Sequence, residues 1–426
     1  MNAPVAPVAA TDYRAQAHRD PWSMPIEEID VSNPYIYQDD TWGGFFARLR
    51  RDEPVHFIDS PMYGPYWSVT RYRDIMQVDT SQTVYSSDAA LGGIALKDVP
   101  LEFRKESFIA MDPPKHDAQR KIVSPIVAPP NLAKMATTIR ERACRILDEL
   151  PRGEAFDWVD RVSIELTTQM LSTLFDFPFE ERRTLTYWSN VATVNTRAGT
   201  EIDSEQKRDA ILQQMLTYFT EVWKVRQQQP PKFDLISMLA HGEATRDLPS
   251  RPQEFMGNLL LLIVGGNDTT RNSISGGLWA LNKFPEEYAK LRANPDLVPK
   301  MVPEIIRYQS PVVHMRRTAL CDTELNGKTI RKGEKVAMWY ISGNRDDAEI
   351  EDADSFIIDR ARPRQHLSFG FGIHRCVGNR LAEMQLSILW EEILKRFPVI
   401  EVMEEPQRSY SNLIHGITSM KVRIPA

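Results

Sequence analysis

The chain is poor in cysteine and has no hydrophobic segment long enough to cross a membrane. Three cysteines occur among 426 residues, Cys144, Cys321 and Cys376. They are too few and too scattered for a disulfide framework or a Cys-x-x-Cys zinc site, which is typical of a reducing compartment. The longest apolar run, residues 259–266, is far shorter than the about 20 residues of a membrane span. Because no secretory signal opens the sequence either, we expect a cytoplasmic protein.

The chain also lacks an excess of positive charge and the motifs of a built-in electron carrier. Its net charge is −6, whereas a nucleic-acid-binding protein usually presents a basic face. The sequence contains no Gly-x-Gly-x-x-Gly motif for a flavin or nicotinamide nucleotide and no spare cysteine quartet for an iron–sulfur cluster. It does contain 42% hydrophobic and 26% charged residues, which is enough to bury a large core.

Apolar residues recur mainly at helical spacing. The longest predicted helix starts with Pro252 in its first turn, and Ser250 with Gln253 forms a candidate capping box. Nothing breaks the pattern before Phe284-Pro285, so the helix has about 32 residues and crosses a whole domain at 1.5 Å per residue. Further helices are predicted over residues 131–150, 161–176, 205–226, 296–308 and 377–396.

Strand patterns are few and short. Two alternating segments near residues 54–59 and 66–70 predict a hairpin, and Asn326-Gly327 is typical of a second hairpin turn. A small β region also ends the chain. We therefore predict a mainly α fold with a small β region, in which residues 1–34 form an extended N-terminal segment and residues 35–426 form a single domain.

The stretch "FGFGIHRCVG" places Cys376 on a glycine-rich loop just before a helix. A free cysteine is most often a small buried hydrophobic residue, and that interpretation suits Cys144 and Cys321. Backbone amides near Gly370, Gly372 and Gly378, together with the start of the next helix, would instead favour a thiolate at Cys376. From the residues alone this thiolate is either a nucleophile or a metal ligand. His374 is too close in sequence for the usual partner of a cysteine hydrolase, so iron ligation is the sharper hypothesis.

The long helix contains "GGNDTT", residues 265–270. Each mid-helix glycine costs about 1 kcal/mol relative to alanine, so Gly265 and Gly266 require a reason. Close packing of another helix is one explanation. The other is a groove where a ligand meets the backbone, followed by an acid and an alcohol, Asp268 and Thr269, which suit a loosened helix.

Taken together, these motifs resemble the cytochrome P-450 superfamily. "FGFGIHRCVG" (369–378) is similar to its haem-ligand loop, "GGNDTT" to its oxygen-activating helix, and "MDPPKHDAQRKIV" (111–123) to its propionate-contacting helix. "EIIR" (304–307) is similar to its Glu-x-x-Arg pair, with Arg360 as the third member of that ion cluster. The resemblance covers residues 35–420. Around the motifs it is strongest to the soluble bacterial enzymes that hydroxylate medium-chain alkanes at the terminal carbon.

The resemblance implies haem b, held between the long central helix and the Cys-loop helix. Cys376 would be the axial thiolate, whose electron donation favours O–O cleavage, and Phe369 would shield it. Asp268 and Thr269 would relay protons to dioxygen, with Thr269 also able to bond back to the carbonyl of Gly265. Gly265 and Gly266 would form the groove for O2.

The resemblance also implies partners for the haem propionates. They are His116, Arg120, Arg317 and His374, with His366 as a further candidate. Arg316 and Arg317 are adjacent on a strand and therefore point in opposite directions, so only one faces the haem, and the family pattern favours Arg317. The cluster of Glu304, Arg307 and Arg360 would lock the fold and take no part in catalysis.

The expected substrate pocket is apolar, because a hydrocarbon offers no polar group to bind. The candidate pocket residues are Leu96, Leu261, Val264, Val312, Val313, Leu413 and Ile414. The resemblance predicts terminal hydroxylation of medium-chain n-alkanes or fatty acids, with steric selection of the methyl end. A terpene, steroid or macrolide substrate is the main rival. A peroxide-driven enzyme or a non-enzymatic haem protein are further alternatives, and the intact Asp268–Thr269 pair disfavours both.

Electrons must come from separate proteins, since the chain carries no flavin or iron–sulfur motif. We expect a ferredoxin with its NAD(P)H-dependent ferredoxin reductase. An acidic ferredoxin would dock near the cysteine side, where rim charges mainly set the association rate. The candidate docking residues are Lys115, Lys121, Arg375 and Arg380.

Overall fold

Helices dominate the computed structural model, which describes residues 12–193, 195–197 and 200–426. The predicted mainly α fold is confirmed. The helices are α1 (Tyr13–Ala17), α2 (Tyr35–Gln38), α3 (Trp42–Asp52), α4 (Tyr72–Thr80), α5 (Lys115–Val123), α6 (Pro129–Asp148), α7 (Glu165–Phe175), α8 (Arg183–Thr193), α9 (Glu205–Gln228), α10 (Leu235–His241), α11 (Pro252–Lys283), α12 (Pro285–Ala293), α13 (Val298–Gln309), α14 (Tyr340–Gly343) and α15 (Asn379–Arg396). A π-helical turn, Val159–Ile164, leads directly into α7.

The central helix α11 has the predicted length and limits, from Pro252 to the residue before Phe284. Pro285 starts α12 and ends the continuous helix, since proline lacks the amide that α11 would need. The predicted capping box is wrong. Ser250 lies in a 3₁₀ turn, Leu248–Ser250, and its hydroxyl donates to the carbonyl of Asp247 at 2.7 Å instead of capping α11.

Within the described residues the strands form one larger sheet and three small ones. The larger sheet has the order β1 (Val55–Ser60), β2 (Gly64–Val69), β8 (Lys335–Met338), β5 (Met315–Ala319) and β3 (Tyr85–Ser86). Strands β2 and β8 are parallel, and the other neighbours are antiparallel. The second predicted hairpin is confirmed, since Asn326 and Gly327 have φ of 47° and 74° between β6 and β7. The strands are β1 (Val55–Ser60), β2 (Gly64–Val69), β3 (Tyr85–Ser86), β4 (Ala155–Asp157), β5 (Met315–Ala319), β6 (Thr323–Leu325), β7 (Lys328–Ile330), β8 (Lys335–Met338), β9 (Glu401–Val402), β10 (Gln407–Arg408), β11 (Ile417–Ser419) and β12 (Lys421–Arg423).

The main hydrophobic core surrounds α11, which contacts α7, α8, α9, α13 and α15. Part of the predicted N-terminal segment belongs to a second core. Residues 1–11 lie outside the described residues, but residues 12–34 include α1 and a 3₁₀ turn, Ile26–Glu28. Ala17, Ile29 and Val31 are fully buried in the cluster that includes Trp339. The expected extended segment is therefore corrected for this part, because its apolar residues pack onto the β region.

The Glu-x-x-Arg pair lies on α13 and is buried. Glu304 and Arg307 are joined at 2.7 Å, and Arg360 approaches Glu304 at 3.0 Å. Arg307 also donates to carbonyl groups between residues 344 and 355. The cluster thus ties α13 to the chain that leads into the cysteine-bearing loop. No helix in the described part of the chain is both long and apolar enough to span a membrane.

Candidate active site

A cavity of about 950 Å³ lies between α11 and the loop that carries Cys376. We call residues 366–378 the Cys loop. Gly265, Gly266 and Thr269 of α11 line one side of the cavity, and Phe369 and Cys376 line the other. The remaining predicted residues that line it are Leu96, Arg120, Leu261, Val264, Val312, Arg317, His374, Leu413 and Ile414.

The Cys loop folds back on itself below α11. The amide of Cys376 donates to the carbonyl of Phe369 at 2.8 Å. Gly370 and Gly372 have φ of +66° and +63°, which L residues rarely adopt. A Cβ on Gly372 would lie 2.6 Å from the backbone oxygen of Asp79 in α4. Glycine is therefore needed both for the turn and for the close approach of α4.

Cys376 is a free cysteine that is accessible from the cavity it lines. Burial raises the pKa of its thiol and is the largest influence. The backbone amides of Gly378 and Asn379, at the start of α15, act in the opposite direction, as do the guanidinium groups of Arg120 and Arg375. These donors and charges are the ones that stabilise a thiolate ligand once a cation is bound to the sulfur.

Asp268 and Thr269 are adjacent on α11 but differ in their surroundings. The Thr269 hydroxyl lines the cavity and donates to the carbonyl of Gly265 at 3.0 Å, the alternative bond expected from the sequence. The Asp268 carboxylate is fully buried. It pairs with Arg271 at 3.0 Å and accepts from the Thr193 hydroxyl at 3.1 Å. Thr193 itself lines the cavity, so a hydrogen bond connects the cavity wall to the buried acid.

Gly265 and Gly266 occupy the middle of α11 for different structural reasons. A Cβ on Gly266 would lie 2.9 Å from Leu171 of α7, so this glycine permits close helix packing. A Cβ on Gly265 would meet nothing within 4 Å, and the residue faces the cavity. Both explanations that the sequence left open therefore apply, one to each residue.

Helix α5 lies beside the Cys loop. The rings of His116 and His374 meet edge to face with centroids 4.5 Å apart, and Arg120 Nη2 donates to the carbonyl of Arg375 at 2.5 Å. His374 has no hydrogen-bond partner for either ring nitrogen in the described part of the chain, and the same holds for His116 Nε2. Burial, followed by the charges of Arg317 and the neighbouring groups, lowers the pKa of His374 to about 2.

Arg317 lines the cavity and Arg316 does not, which agrees with their opposite orientations on β5. Arg317 is paired with the buried carboxylate of Asp79 at 2.7 Å. Asp79 also accepts from Tyr340 Oη at 3.1 Å and from the amide of Phe371 at 2.8 Å. One buried acid therefore joins the cavity-facing arginine to the Cys loop.

Four predicted site residues do not line the cavity: His116 and Asp268, which contact residues that do, and His366 and Val313. His366 begins the Cys loop and is buried, with its ring 5.4 Å from that of Phe369, and burial lowers its pKa to about 3. Val313 is fully buried in the core that contains Trp339. The structure therefore places neither residue in the cavity lining. Val313 fails because Val312 is the one of the two valines whose backbone bridges to Ile414 at the cavity wall.

Three further residues were missed by the sequence reasoning. Asp79 follows Ile75 by four residues and so lies on the apolar face of the amphipathic helix α4. An acid at such a position is unusual, and it could have indicated a buried functional carboxylate from the sequence. His314 lines the cavity and donates through Nδ1 to Asn412 at 2.8 Å, and burial lowers its pKa to about 4. Thr193 had no signal, because its contact with Asp268 depends on how α8 packs on α11.

The residues present fit haem b, the group that the resemblance implies. A single cysteine sulfur faces the cavity, and Gly265 leaves open space opposite it. The unpartnered nitrogens of His116 and His374, with the guanidinium group of Arg120 nearby, would receive an anionic carboxylate. His116, Arg120, Arg317 and His374 would hold the propionates, and Cys376 would hold the iron.

Comparisons with known proteins agree with this arrangement. A model of the cytochrome P450 family matches residues 184–423. Linalool 8-monooxygenase of Pseudomonas putida is 36% identical over 405 residues, covering 93% of this chain and 99% of that protein. The methyl-branched lipid omega-hydroxylase of Mycobacterium tuberculosis is 32% identical over 422 residues, covering 94% and 96%. The solved structure of cytochrome P450-153 from Novosphingobium aromaticivorans is 46% identical, covers 93% of this chain and 99% of its own, and has a TM-score of 0.86.

The matches to the two relatives and to the solved structure cover 93–94% of the chain. The family match alone includes the acid–alcohol pair of α11 and the Cys loop. Members of this family use haem b. On the identity and coverage of its relatives, the chain belongs to the cytochrome P450 family and is a haem-dependent monooxygenase.

Proposed function

We propose that the enzyme hydroxylates medium-chain n-alkanes or fatty acids at the terminal carbon. The observation that carries the proposal is the cavity wall that faces Cys376. It is built from aliphatic side chains of three separate segments, among them Leu261, Val312 and Leu413. The sequence resemblance to alkane terminal hydroxylases supports the same substrate class. The name of the M. tuberculosis relative, a lipid omega-hydroxylase, supports the terminal position.

Binding of a linear chain in such a cavity comes from burial of its methylene groups. Each CH2 contributes about 0.8 kcal/mol, so each added carbon lowers Kd about fourfold until the cavity is filled. In this proposal the methyl end enters the cavity first, and the terminal carbon then lies nearest to Cys376. Selectivity for the terminal carbon is therefore steric in this proposal.

The charged residues at the mouth of the cavity favour a neutral chain over a fatty acid. Lys97 pairs with Glu205 at 3.0 Å, and Lys105 pairs with Asp209 at 3.2 Å. Arg208 also contacts Glu205 at 2.9 Å. A substrate carboxylate would have to displace one of these acids from its cation. An alkane passes the mouth without such competition.

A terpene alcohol is the second candidate substrate. It is favoured by one specific observation, the 36% identity to a linalool 8-monooxygenase over 93% of the chain. Such a substrate carries a hydroxyl group and branched carbons. It would need a polar partner in the cavity. Asn412 lines the cavity but already donates its side-chain amide to the carbonyl of Ser32 at 2.8 Å.

Titration of the iron spin state decides between these substrates. Octane, dodecane, octanoate, dodecanoate and linalool are added in turn to the haem-loaded enzyme. We expect the largest low-spin to high-spin change from the alkanes, with Kd falling by about fourfold per CH2. No response from any linear chain, beside a clear response from linalool, would overturn the alkane proposal. Product analysis of the turned-over alkane then shows whether the terminal carbon carries the hydroxyl.

The side chains around the cavity have assigned tasks in this proposal. Bound haem supplies the chemistry of oxygen activation with electron donation from its thiolate ligand. Thr269 donates a hydrogen bond at the cavity wall and exchanges its proton there. Asp268 holds the proton supply, and Thr193 and Arg271 fix the orientation of its carboxylate. The aliphatic wall excludes water from the reacting carbon.

We also propose that a ferredoxin and its NAD(P)H-dependent reductase supply the electrons. Arg375 of the Cys loop is exposed, as are Lys121 on α5 and Arg380 on α15, and no ion pair joins these three to another residue in the described ranges. Lys115 is less available, because its ammonium group pairs with Glu106 at 2.7 Å and Glu254 at 2.9 Å. The three free cations are therefore the proposed contact for an acidic partner.

Charge reversal tests this contact. Lys121→Glu, Arg375→Glu and Arg380→Glu are each compared with Lys207→Glu, an exposed lysine at the opposite end of the cavity on α9. We expect slower reduction by a [2Fe–2S] ferredoxin and a weaker salt dependence for the first three variants only. Equal reduction rates and salt slopes in all four variants would contradict the docking proposal.

A further inference from the structure

Residues 92–98 form part of the cavity wall. Residues 91–98 are held to strand β5 mainly by Arg316, and the hydroxyl of Thr318 also donates to the carbonyl of Leu91 at 2.9 Å. The amide of Arg316 donates to the carbonyl of Ile94 at 2.9 Å. Its guanidinium group donates to the carbonyls of Leu91 at 3.2 Å and Ala95 at 3.3 Å. The same group pairs with Asp98 at 2.6 Å. We call residues 91–98 the wall segment, and Arg316 contacts it at both ends and in the middle.

The fit between Arg316 and the wall segment is close. Arg316 is 3% exposed. Gly92 has φ of +116°, and a Cβ there would lie 2.1 Å from Arg316 Nη2. The guanidinium group therefore occupies space that only a glycine leaves free. Lys335 of β8 adds a second cation to Asp98 at 2.8 Å, so the end of the segment is anchored to two strands of the sheet.

Arg316 itself does not line the cavity, whereas every residue of the wall segment after Leu91 does. Any effect of Arg316 on a bound molecule must therefore act through the wall segment. We propose that Arg316 is a positioning residue that holds this segment in place and so sets the width of the cavity, which selects narrow apolar molecules over bulky ones. The substrate class rests on the proposed function, but the positioning role does not.

Arginine suits this task better than lysine. Its planar fork presents donors in fixed directions and reaches two carbonyls and a carboxylate together. A lysine at the same place would keep one contact, most simply the one to Asp98. Arg316→Lys should therefore restore part of the effect that Arg316→Met removes, which a general loss of stability would not reproduce.

Hydrogen–deuterium exchange of the haem-loaded enzyme tests the first step. Arg316→Met and Arg316→Lys are compared with Arg408→Met. Arg408 is a matched control, since its side chain is 6% exposed and pairs with Asp40 at 2.9 Å outside the cavity lining. Loss of the hydrogen bonds to a charged group should speed exchange of the wall segment about tenfold or more in Arg316→Met. Arg316→Lys should be intermediate and Arg408→Met unchanged there. Equal exchange of the segment in all variants would overturn the proposal.

Binding of two haem ligands tests the second step without knowledge of the natural substrate. Kd values for 1-octylimidazole, a narrow ligand, and clotrimazole, a bulky one, are read from the Soret shift. The preference for the narrow ligand should fall about tenfold in Arg316→Met and partly recover in Arg316→Lys. An unchanged ratio would show that Arg316 only supports the fold, and would overturn its role in selection. If Arg316→Met does not fold, Asp98→Ala removes the ion pairs of the exposed Asp98 with Arg316 and Lys335 and leaves the carbonyl contacts of Arg316 in place. The preference for the narrow ligand should then fall in the same direction by a smaller factor.

The two proposals fail separately. A lost azole preference in Arg316→Met, together with no spin-state response of the wild type to alkanes, would retain the positioning role and reject the substrate. A clear spin-state response of the wild type to alkanes, together with an unchanged ratio of the two azole Kd values in Arg316→Met, would retain the substrate and reject the positioning role.

Discussion

Replacement of Arg307 by methionine should be among the most destabilising single changes in the chain. Arg307 is 1% exposed and makes five hydrogen bonds of 2.7 Å. Two go to the carboxylate of Glu304, and three go to carbonyls of the segment that precedes the Cys loop. Arg307→Met leaves the buried Glu304 with only Arg360 and the amide of Ile357 as partners.

The magnitude follows from the burial of the pair. Removal of one partner of a buried ion pair costs about 3–5 kcal/mol, because the other charge is left uncompensated. Domains of ordinary stability unfold at a cost of about 5–15 kcal/mol, so the variant loses a large fraction of the total. Arg360→Met should cost less, about 1–3 kcal/mol, since most of the acceptors of Arg360 are carbonyls near the surface.

Urea unfolding followed by far-UV circular dichroism measures the difference, at equal haem occupancy of the proteins compared. Combining Glu304→Gln with Arg307→Met provides a further control, because removal of both charges should cost less than the sum of the single changes. A free-energy loss below about 1 kcal/mol in Arg307→Met, the range of a surface pair, would refute the reasoning. A larger loss in Arg360→Met than in Arg307→Met would also refute it.

Three further predictions concern the cavity. Thr269→Ala should divert reducing equivalents to hydrogen peroxide, and Thr269→Ser should restore the coupling of NAD(P)H oxidation to hydroxylation. The amount of peroxide formed per NAD(P)H oxidised measures this coupling. Unchanged coupling in Thr269→Ala would show that the hydroxyl takes no part in the reaction. The pKa of His314 is lowered to about 4 in the folded protein. As the pH falls through about 6.5, this histidine therefore becomes protonated in the unfolded chain but not in the folded one. The wild type should therefore lose about 2 kcal/mol at pH 5 relative to pH 7 from this group, and His314→Phe should lack that part of the pH dependence in urea titrations at the two pH values. Asp79→Ala leaves Arg317 without its buried partner and leaves the amide of Phe371 without its acceptor. Transfer of haem from this variant to apomyoglobin should therefore be faster than transfer from the wild type. An unchanged transfer rate would show that Asp79 does not hold the Cys loop.

Local sequence signals predicted the elements of the fold well. The limits of α11 follow from Pro252 and Pro285, and the turn between β6 and β7 follows from Asn326-Gly327. Each of these depends on the conformational limits of one or two residues. The capping box at Ser250 failed because a preceding 3₁₀ turn took up its hydroxyl, which the pattern of residue types does not reveal.

The motif residues of the site were located from the sequence, and their tertiary partners were not. Thr269 and Cys376 were located because each lies in a motif with a characteristic spacing, and both line the same cavity. Asp79, Thr193 and Arg316 act across large separations in the chain, and only packing brings them to their partners. His366 has the composition of a site residue, but the turn of the Cys loop directs it behind Phe369.

A carbon monoxide difference spectrum of the reduced enzyme tests most directly whether Cys376 is the thiolate ligand of the haem iron. The account predicts the red-shifted thiolate band in the wild type and in Cys144→Ser and Cys321→Ser, since those two cysteines do not line the cavity. It predicts loss of the band in Cys376→Ser. A wild type without the band, or a Cys376→Ser variant that keeps it, would contradict the assignment of the active site.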